Sequence, residues 1–220
     1  MPLPSPAQDP SLAIVDTAID LLFPALHGWC PPEKAKRMAR LVLEASSLLS
    51  CPVHAVELGV FGGRGVIAMG LAVRHGLGGK GTVLGIDPFS AAASLEGTNA
   101  KVDQEWWAKL DYAMILKSAR EGVAKAGLED VVKLEIARSQ DVVGRVEDGS
   151  VDVLHQDSNH SQEISCYEVE TWTAKMRSGG FWIFDDIDWP TTKVAQGRLV
   201  TSHGFTLIES HEKWAVFQAP

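Results

Sequence analysis

Apolar positions along the chain change their period near residue 53. Before it, "SLAIVDTAIDLLFPAL" and "PPEKAKRMARLVLEASSLL" carry apolar residues at helical spacing. Ser11 is placed to cap the first of these helices, and the paired prolines and Glu33 open the second. Residues 1–10 are Pro-rich and polar and read as a disordered tail. Residues 11–50 therefore form a helical cap on a domain that occupies 51–220.

Beyond residue 53, strand-like apolar runs alternate with amphipathic stretches. "VHAVELGV", "GTVLGID", "VVKLEIA", "SVDVLHQD" and "FWIFDD" read as five strands. A Gly-rich turn, "FGGRG", leads from the first strand into the helix "VIAMGLAVRHG". One long helix is expected from Asp103 to Ala126, ended by Gly127. A short helix follows the third strand, "SQEISCYEVETWTAKM" is the helix after the fourth, and "SGG" turns the chain into the fifth. A last helix covers roughly Thr191 to Ser202, and "FTLIES" and "KWAVFQ" close the chain. Repeated strand–helix alternation predicts an α/β fold, a doubly wound parallel sheet covered on both faces. The last two strands are too close for a crossover helix and must form an antiparallel hairpin at one edge.

Composition narrows this little. The net charge is −8, which disfavours a nucleic-acid groove. Cys30, Cys51 and Cys166 are odd in number and widely spaced, so neither a disulfide framework nor a zinc site is read, and a reducing, cytoplasmic compartment is expected. The N-terminus does not resemble a signal peptide, and no apolar run approaches the roughly 18 residues of a membrane helix.

The candidate chemistry lies where the strands end. In an open α/β sheet, ligands bind beyond the carboxyl ends of the strands. Those ends deliver Glu57, Gly59, Gly62, Gly63 and Gly65; then Asp87; then Ser139 and Gln140; then Asp157, Ser158, Asn159 and His160; and finally Asp185 and Asp186. The glycines let the backbone approach a ligand, and Asp87 suits ribose hydroxyls. The glycine spacing fits the dinucleotide fingerprint poorly, and Glu57 before the first glycine would sit badly beside a pyrophosphate. A cofactor with a ribose and an ammonium but no phosphate, S-adenosylmethionine, suits these residues better than NAD.

The ordered set "VELGVFGGRG", "GIDPFS", "ARSQD", "HQDSNH" and "FDD" resembles the class I S-adenosylmethionine-dependent methyltransferases. The nearest resemblance is to the metal-dependent O-methyltransferases of catechols and of antibiotic sugars, over about residues 50–186. It implies a Rossmann-like, seven-stranded sheet in the order 3-2-1-4-5-7-6 with strand 7 antiparallel. It also implies methyl transfer from S-adenosylmethionine to a hydroxyl of a small molecule; the alternatives are a metal-independent methyltransferase, with the aspartates serving only polar structure, and a catalytically silent S-adenosylmethionine-binding module. Glu57, Gly59 and Gly63 would hold the methionine end of the cofactor, Asp87 the ribose, and Ser139 and Gln140 the adenine. Asp157, Asp185 and Asp186 match the side chains that bind a divalent cation, most simply Mg2+. That ion would relieve the repulsion of three converging carboxylates and lower the pKa of the acceptor hydroxyl. His160, three residues after Asp157, stands where the catechol enzyme has a lysine and is the candidate base; the plainer alternative is a histidine capping the helix that begins at Ser161. A homo-oligomer is an expectation of the family alone.

The chain also departs from that pattern. Gly65 stands where relatives often carry a serine against the cofactor carboxylate, and Asp186 stands where the catechol enzyme has asparagine. Trp106 and Trp107 are expected in the core rather than lining an acceptor pocket, His155 as a hydrogen-bonded core histidine rather than a ligand, and Arg64 facing solvent rather than paired with the cofactor carboxylate. Asp188 and Trp189 either border the substrate or start a loop. Ser158 and Cys166 have no base in a recognisable nucleophile motif, so hydrolase chemistry is rejected.

Overall fold

The computed structural model describes residues 10–49 and 52–220. The expected disordered tail, apart from Pro10, and Cys51 lie outside the described residues.

Helices α1 (Pro10–Leu22) and α2 (Pro32–Leu49) precede strand β1 (Val53–Leu58). The chain then runs through α3 (Arg64–Leu71), β2 (Gly81–Ile86), α4 (Ala91–Ser94), α5 (Lys101–Trp107), α6 (Tyr112–Lys125) and β3 (Val132–Glu135). It continues through α7 (Ser139–Val142), β4 (Val151–Gln156), α8 (Gln162–Trp172), β5 (Met176–Phe184), α9 (Lys193–Thr201), β6 (Thr206–Ser210) and β7 (Ala215–Gln218). The seven strands form one sheet in the order β3-β2-β1-β4-β5-β7-β6, and β7 is antiparallel to both its neighbours. The expected fold is borne out.

Strand alternation sorts the core into two layers. Phe181 and Ile183 of β5 face the layer built by α1, α2, α3 and α6, whereas Trp182 and Phe184 face that of α7, α8 and α9. The buried stripe of α2 is Lys34, Ala35, Met38, Ala39, Leu41, Val42 and Ala45, the recurrence of a 3.6-residue helix. These apolar residues belong to the same core cluster as β1 and α3. One member of the stripe is a lysine.

Three sequence expectations shift. Helix α1 starts at Pro10, so Ser11 sits within the first turn rather than at the cap. The helix expected over 103–126 is two helices, because Asp111 caps α6 by accepting from the Met114 N–H at 3.0 Å. The "SGG" read as a turn lies inside β5, with Gly179 in the left-handed region at φ 79°. Among the described residues, no helix is long and apolar enough to cross a membrane.

Candidate active site

Register brings the site together. Leu58 is level with Ile86 and Gln156, and Gln156 with Phe184. Each strand's next residue, Gly59, Asp87, Asp157 or Asp185, therefore stands in one row at the carboxyl edge. Gly59 donates to the Ile86 carbonyl at 2.9 Å, Asp157 to that of Leu58 at 2.8 Å, and Asp185 to that of Gln156 at 3.0 Å. At Gly59, φ is 86° and an added Cβ would overlap the Asp157 carbonyl, so β1 and β4 pass too closely for any side chain. The non-glycine residues with positive φ are Phe61, Phe89 and Asp186, which follow β1, β2 and β5. Backbone strain thus gathers at this edge, as it does at functional sites.

Lys34 reaches into the row from α2. Its ammonium pairs with Asp185 Oδ2 and lies 3.7 Å from Asp157 Oδ2, with the side chain 1% exposed. The motif reading missed this residue, although a lysine in phase with the apolar stripe of α2 was a visible signal. His155 is fully buried, as expected, and is hydrogen bonded through Nδ1 to Glu57 Oε1 at 2.7 Å. Its Nε2 has no hydrogen-bond partner and lies 3.7 Å from Asp185 Oδ2 and 3.8 Å from Asp157 Oδ2. Desolvation raises the Asp157 carboxyl well above the usual range, with the Asp185 charge adding to it. Desolvation also pushes Asp185 upward, but the nearby His155 ring and the Lys34 ammonium hold it below that range.

Asp186 faces the other way. Its Oδ2 pairs with His160 Nε2, while His160 Nδ1 is buried without a partner. The cap of α8 is Ser161, whose hydroxyl accepts from Ile164, so His160 is free of that duty. Donor atoms of His155, Asp157 and Asp185 fall within 4.8 Å of one another, as do those of Asp157, His160 and Asp186; the three aspartates expected together are not such a set.

The expected cofactor residues divide. Glu57 is 2% exposed and turned inward; Oε2 accepts from the Val66 N–H at 2.7 Å at the start of α3, and Oε1 is taken by His155. It does not face a ligand. Asp87 Oδ2 accepts from the N–H groups of Val60 and Phe61 at 3.0 and 2.9 Å, holding the glycine turn. Its Oδ1 accepts from Phe89 alone among protein groups. Desolvation raises this carboxyl above its ordinary value despite those bonds. Gly63, at φ 91°, is the N-cap of α3. The Ser139 hydroxyl donates to Glu168 Oε1 at 2.6 Å, and Gln140 is half-buried beside it.

The sequence matches the family described as Methyltransferase domain over residues 56–187, well over half the chain. The chain belongs to this methyltransferase family. No curated protein matches it. Among solved structures, the O-methyltransferase NovP superposes with a TM-score of 0.76 at 17% identity, covering 95% of this chain and 99% of NovP. Cofactor-bound Rv0187 from MTB gives 0.59 at 17% identity, with 98% and 92% covered. TomG, an O-methyltransferase of Streptomyces achromogenes solved in complex with SAM, gives 0.55 at 16%, with 96% and 90% covered. At these identities the likeness establishes a shared fold, and the class I methyltransferase fold expected from the motifs is borne out.

In this methyltransferase the tryptophans leave their expected place in the core. Trp106 is exposed and Trp107 half-buried. Trp107 stacks on His160 at 6.0 Å between ring centroids and on Trp189 at 6.3 Å, and His160 lies 4.6 Å from Trp189. Trp189 therefore borders the site, one of the two roles open to it. Trp29 and Phe61 meet Trp106 at 5.7 and 6.4 Å. A mainly apolar cavity of about 450 Å³ adjoins them, between Leu26–Trp29, the glycine turn and Leu110–Ile115.

Arg64 does not face solvent. Its guanidinium donates to the carbonyls of Phe23, Leu26 and Cys30 at 2.9–3.2 Å and lies over the Phe23 ring, pinning the segment between α1 and α2 to the glycine turn. Glu168, absent from the sequence reading, is fully buried; it accepts from Ser139, from Ser158 at 2.6 Å and from Gln156 at 3.0 Å.

Proposed function

We propose that this methyltransferase transfers the methyl group of S-adenosylmethionine to a hydroxyl of a small molecule, with His160 as the base. The observation that carries this is the His160–Asp186 pair, set beside the stacked rings of Trp107 and Trp189 in a chain of this family. A base fixed by a third group is the usual arrangement for activating a weak nucleophile.

The residues present fit the cofactor at its ribose end, where Asp87 Oδ1 has lone-pair capacity left beside a turn without side chains at Gly59, Gly62 and Gly63. Gln140 stands at the adenine end. Glu57 serves the helix and His155 instead. When bound, S-adenosylmethionine supplies a sulfonium methyl, and the acceptor oxygen gains that methyl as the carbon–sulfur bond breaks. Asp186 accepts from His160 Nε2–H, so Nδ1 is the nitrogen that receives the hydroxyl proton and Asp186 stabilises the resulting imidazolium. Trp107 and Trp189 present flat apolar faces that suit a ring-bearing acceptor. Orientation between those faces and the row of strand ends supplies much of the rate.

The expected Mg2+ fits less well. Asp185 is engaged by Lys34 and Asp186 by His160, and the three aspartates do not form one ligand set.

The test is S-adenosylmethionine titration by calorimetry, followed by a screen of phenols and other ring alcohols for release of S-adenosylhomocysteine. Cofactor binding with turnover on a hydroxyl acceptor, lost in His160→Asn, is expected. Binding without turnover on any acceptor sinks the enzymatic reading in favour of a silent binding module. No binding sinks the cofactor.

A further inference from the structure

We propose that Lys34 is the resident cation of this site and that its ammonium takes the place between Asp157 and Asp185 that a divalent ion would need. Methyl transfer by this chain then runs without bound metal. The clause about transfer rests on the function proposed above; the placement of the cation rests on geometry alone.

Lys34 is held there by its helix. Ala35, Met38, Ala39 and Val42 on the same face of α2 are all fully buried, so α2 cannot roll the lysine outward without opening the core. The start of α2 is tied down as well: Ala35 N–H donates to the Pro31 carbonyl at 3.0 Å, and Arg64 donates to that of Cys30. The ammonium bonds Asp185 Oδ2 and stands 3.7 Å from Asp157 Oδ2, and His155 Nε2 lies 3.7 and 3.8 Å from the same two oxygens. A magnesium ion bridging the same oxygens would need each of them at about 2.0–2.1 Å and would have to share Asp185 Oδ2 with the ammonium. A neighbouring ammonium also repels a divalent ion, and here it cannot retreat to solvent.

The second carboxylate cluster is occupied in the same manner, because Asp186 is paired with His160. The groups facing Lys34 are thus Asp157, Asp185 and His155, and those facing His160 are Asp157 and Asp186. Each cluster carries its own nitrogen donor. A buried lysine must be compensated by charge, and two carboxylates at adjacent strand ends provide it. Lys34 acts through Asp157 and Asp185 and is a positioning residue.

The experiment is a Mn2+ titration followed by the EPR signal of the free ion, with and without S-adenosylmethionine. The samples are metal-stripped wild type, Lys34→Met, Lys34→Gln and Lys34→Met/Asp185→Asn, each checked for folding by circular dichroism. Wild type is expected to leave Mn2+ free. Lys34→Met and Lys34→Gln are expected to gain affinity by at least about 100-fold, from removal of one like charge within about 4 Å of the ion. The double variant is expected to lose that gain. A merely structural lysine would not create a metal site on removal. Stoichiometric Mn2+ binding by wild type, abolished by Asp185→Asn, overturns the proposal. So does a folded Lys34 variant that binds Mn2+ no better than wild type. If both Lys34 variants unfold, the wild-type titration still decides. Loss of S-adenosylmethionine binding in a wild type that ignores Mn2+ would count against the proposed function and leave the cation assignment standing.

Discussion

Gly65 and Glu57 are packed so closely that a Cβ on Gly65 would overlap Glu57 Oε1. The carboxylate cannot step aside, because Val66 N–H and His155 hold its two oxygens at 2.7 Å each. Position 65 therefore has no room for a side chain while Glu57 is turned inward. Gly65→Ser is expected to lower stability by about 1–3 kcal/mol, the usual cost of overpacking. Urea denaturation of Gly65→Ser, Glu57→Ala and the double variant checks it. The double variant should be less destabilised than the sum of the singles, since the clash vanishes with the carboxylate. Strict additivity would show that the two residues do not meet.

Arg64 joins the segment between α1 and α2 to the glycine turn. Removing its guanidinium takes a donor from the carbonyls of Phe23, Leu26 and Cys30, of which Phe23 keeps the Leu26 N–H. Arg64→Ala is expected to cost about 2–3 kcal/mol. Arg64→Lys should recover little of it, because one ammonium cannot reproduce the planar fork. Hydrogen exchange would localise the loss: faster exchange over residues 22–30 is expected, with β4 and β5 unchanged.

The fold was legible because alternation and helical spacing report burial directly, and the hairpin followed from the short link between the last two strands. What was missed came from residues whose role depends on distant partners. Lys34 looks like one of the surface charges of α2 until the phase of the apolar stripe is counted. Arg64, in a glycine-rich turn, gives no local hint that three carbonyls from the preceding segment converge on it. Trp106 and Trp107 were assigned to the core because size and hydrophobicity argue for burial, whereas the break before Asp111 leaves Trp107 against His160 and Trp106 against Trp29 and Phe61. Glu57 and Ser139 were placed correctly at strand ends, but the side-chain directions that commit them to His155 and Glu168 are tertiary facts. The three aspartates were found in sequence, yet their partners Lys34 and His160 lie on α2 and just before α8.

Trp189 and Trp107 flank the candidate base, so they should govern the acceptor more than the cofactor. Trp189→Ala is expected to raise the acceptor KM about tenfold while leaving S-adenosylmethionine affinity within twofold, the loss of one aromatic contact of about 1 kcal/mol or more. His160→Asn should instead lower kcat by about 100-fold or more at little cost in KM, as removal of a general base does. Steady-state kinetics with any acceptor found in the screen separates the two. A His160→Asn enzyme with unchanged kcat would remove His160 from the chemistry.

Glu168 offers a pH dependence whose sign can be worked out. Its carboxyl is fully buried, and desolvation raises it above its ordinary value even though Ser139, Ser158 and Gln156 donate to it. The folded state therefore binds this proton more readily than the unfolded chain does. Its contribution to stability is fully present below the unfolded carboxyl pKa of about 4.3 and is lost as pH rises through the raised folded value. Glu168→Gln keeps the shape and the acceptor for Ser139 but cannot titrate. The stability of wild type relative to Glu168→Gln should therefore increase as pH falls from neutrality toward that unfolded value, measured as the difference in urea midpoints at matched ionic strength. A gap between the two proteins that is flat across this window, or that moves the other way, would mean that hydrogen bonds to the ionised carboxylate outweigh its desolvation.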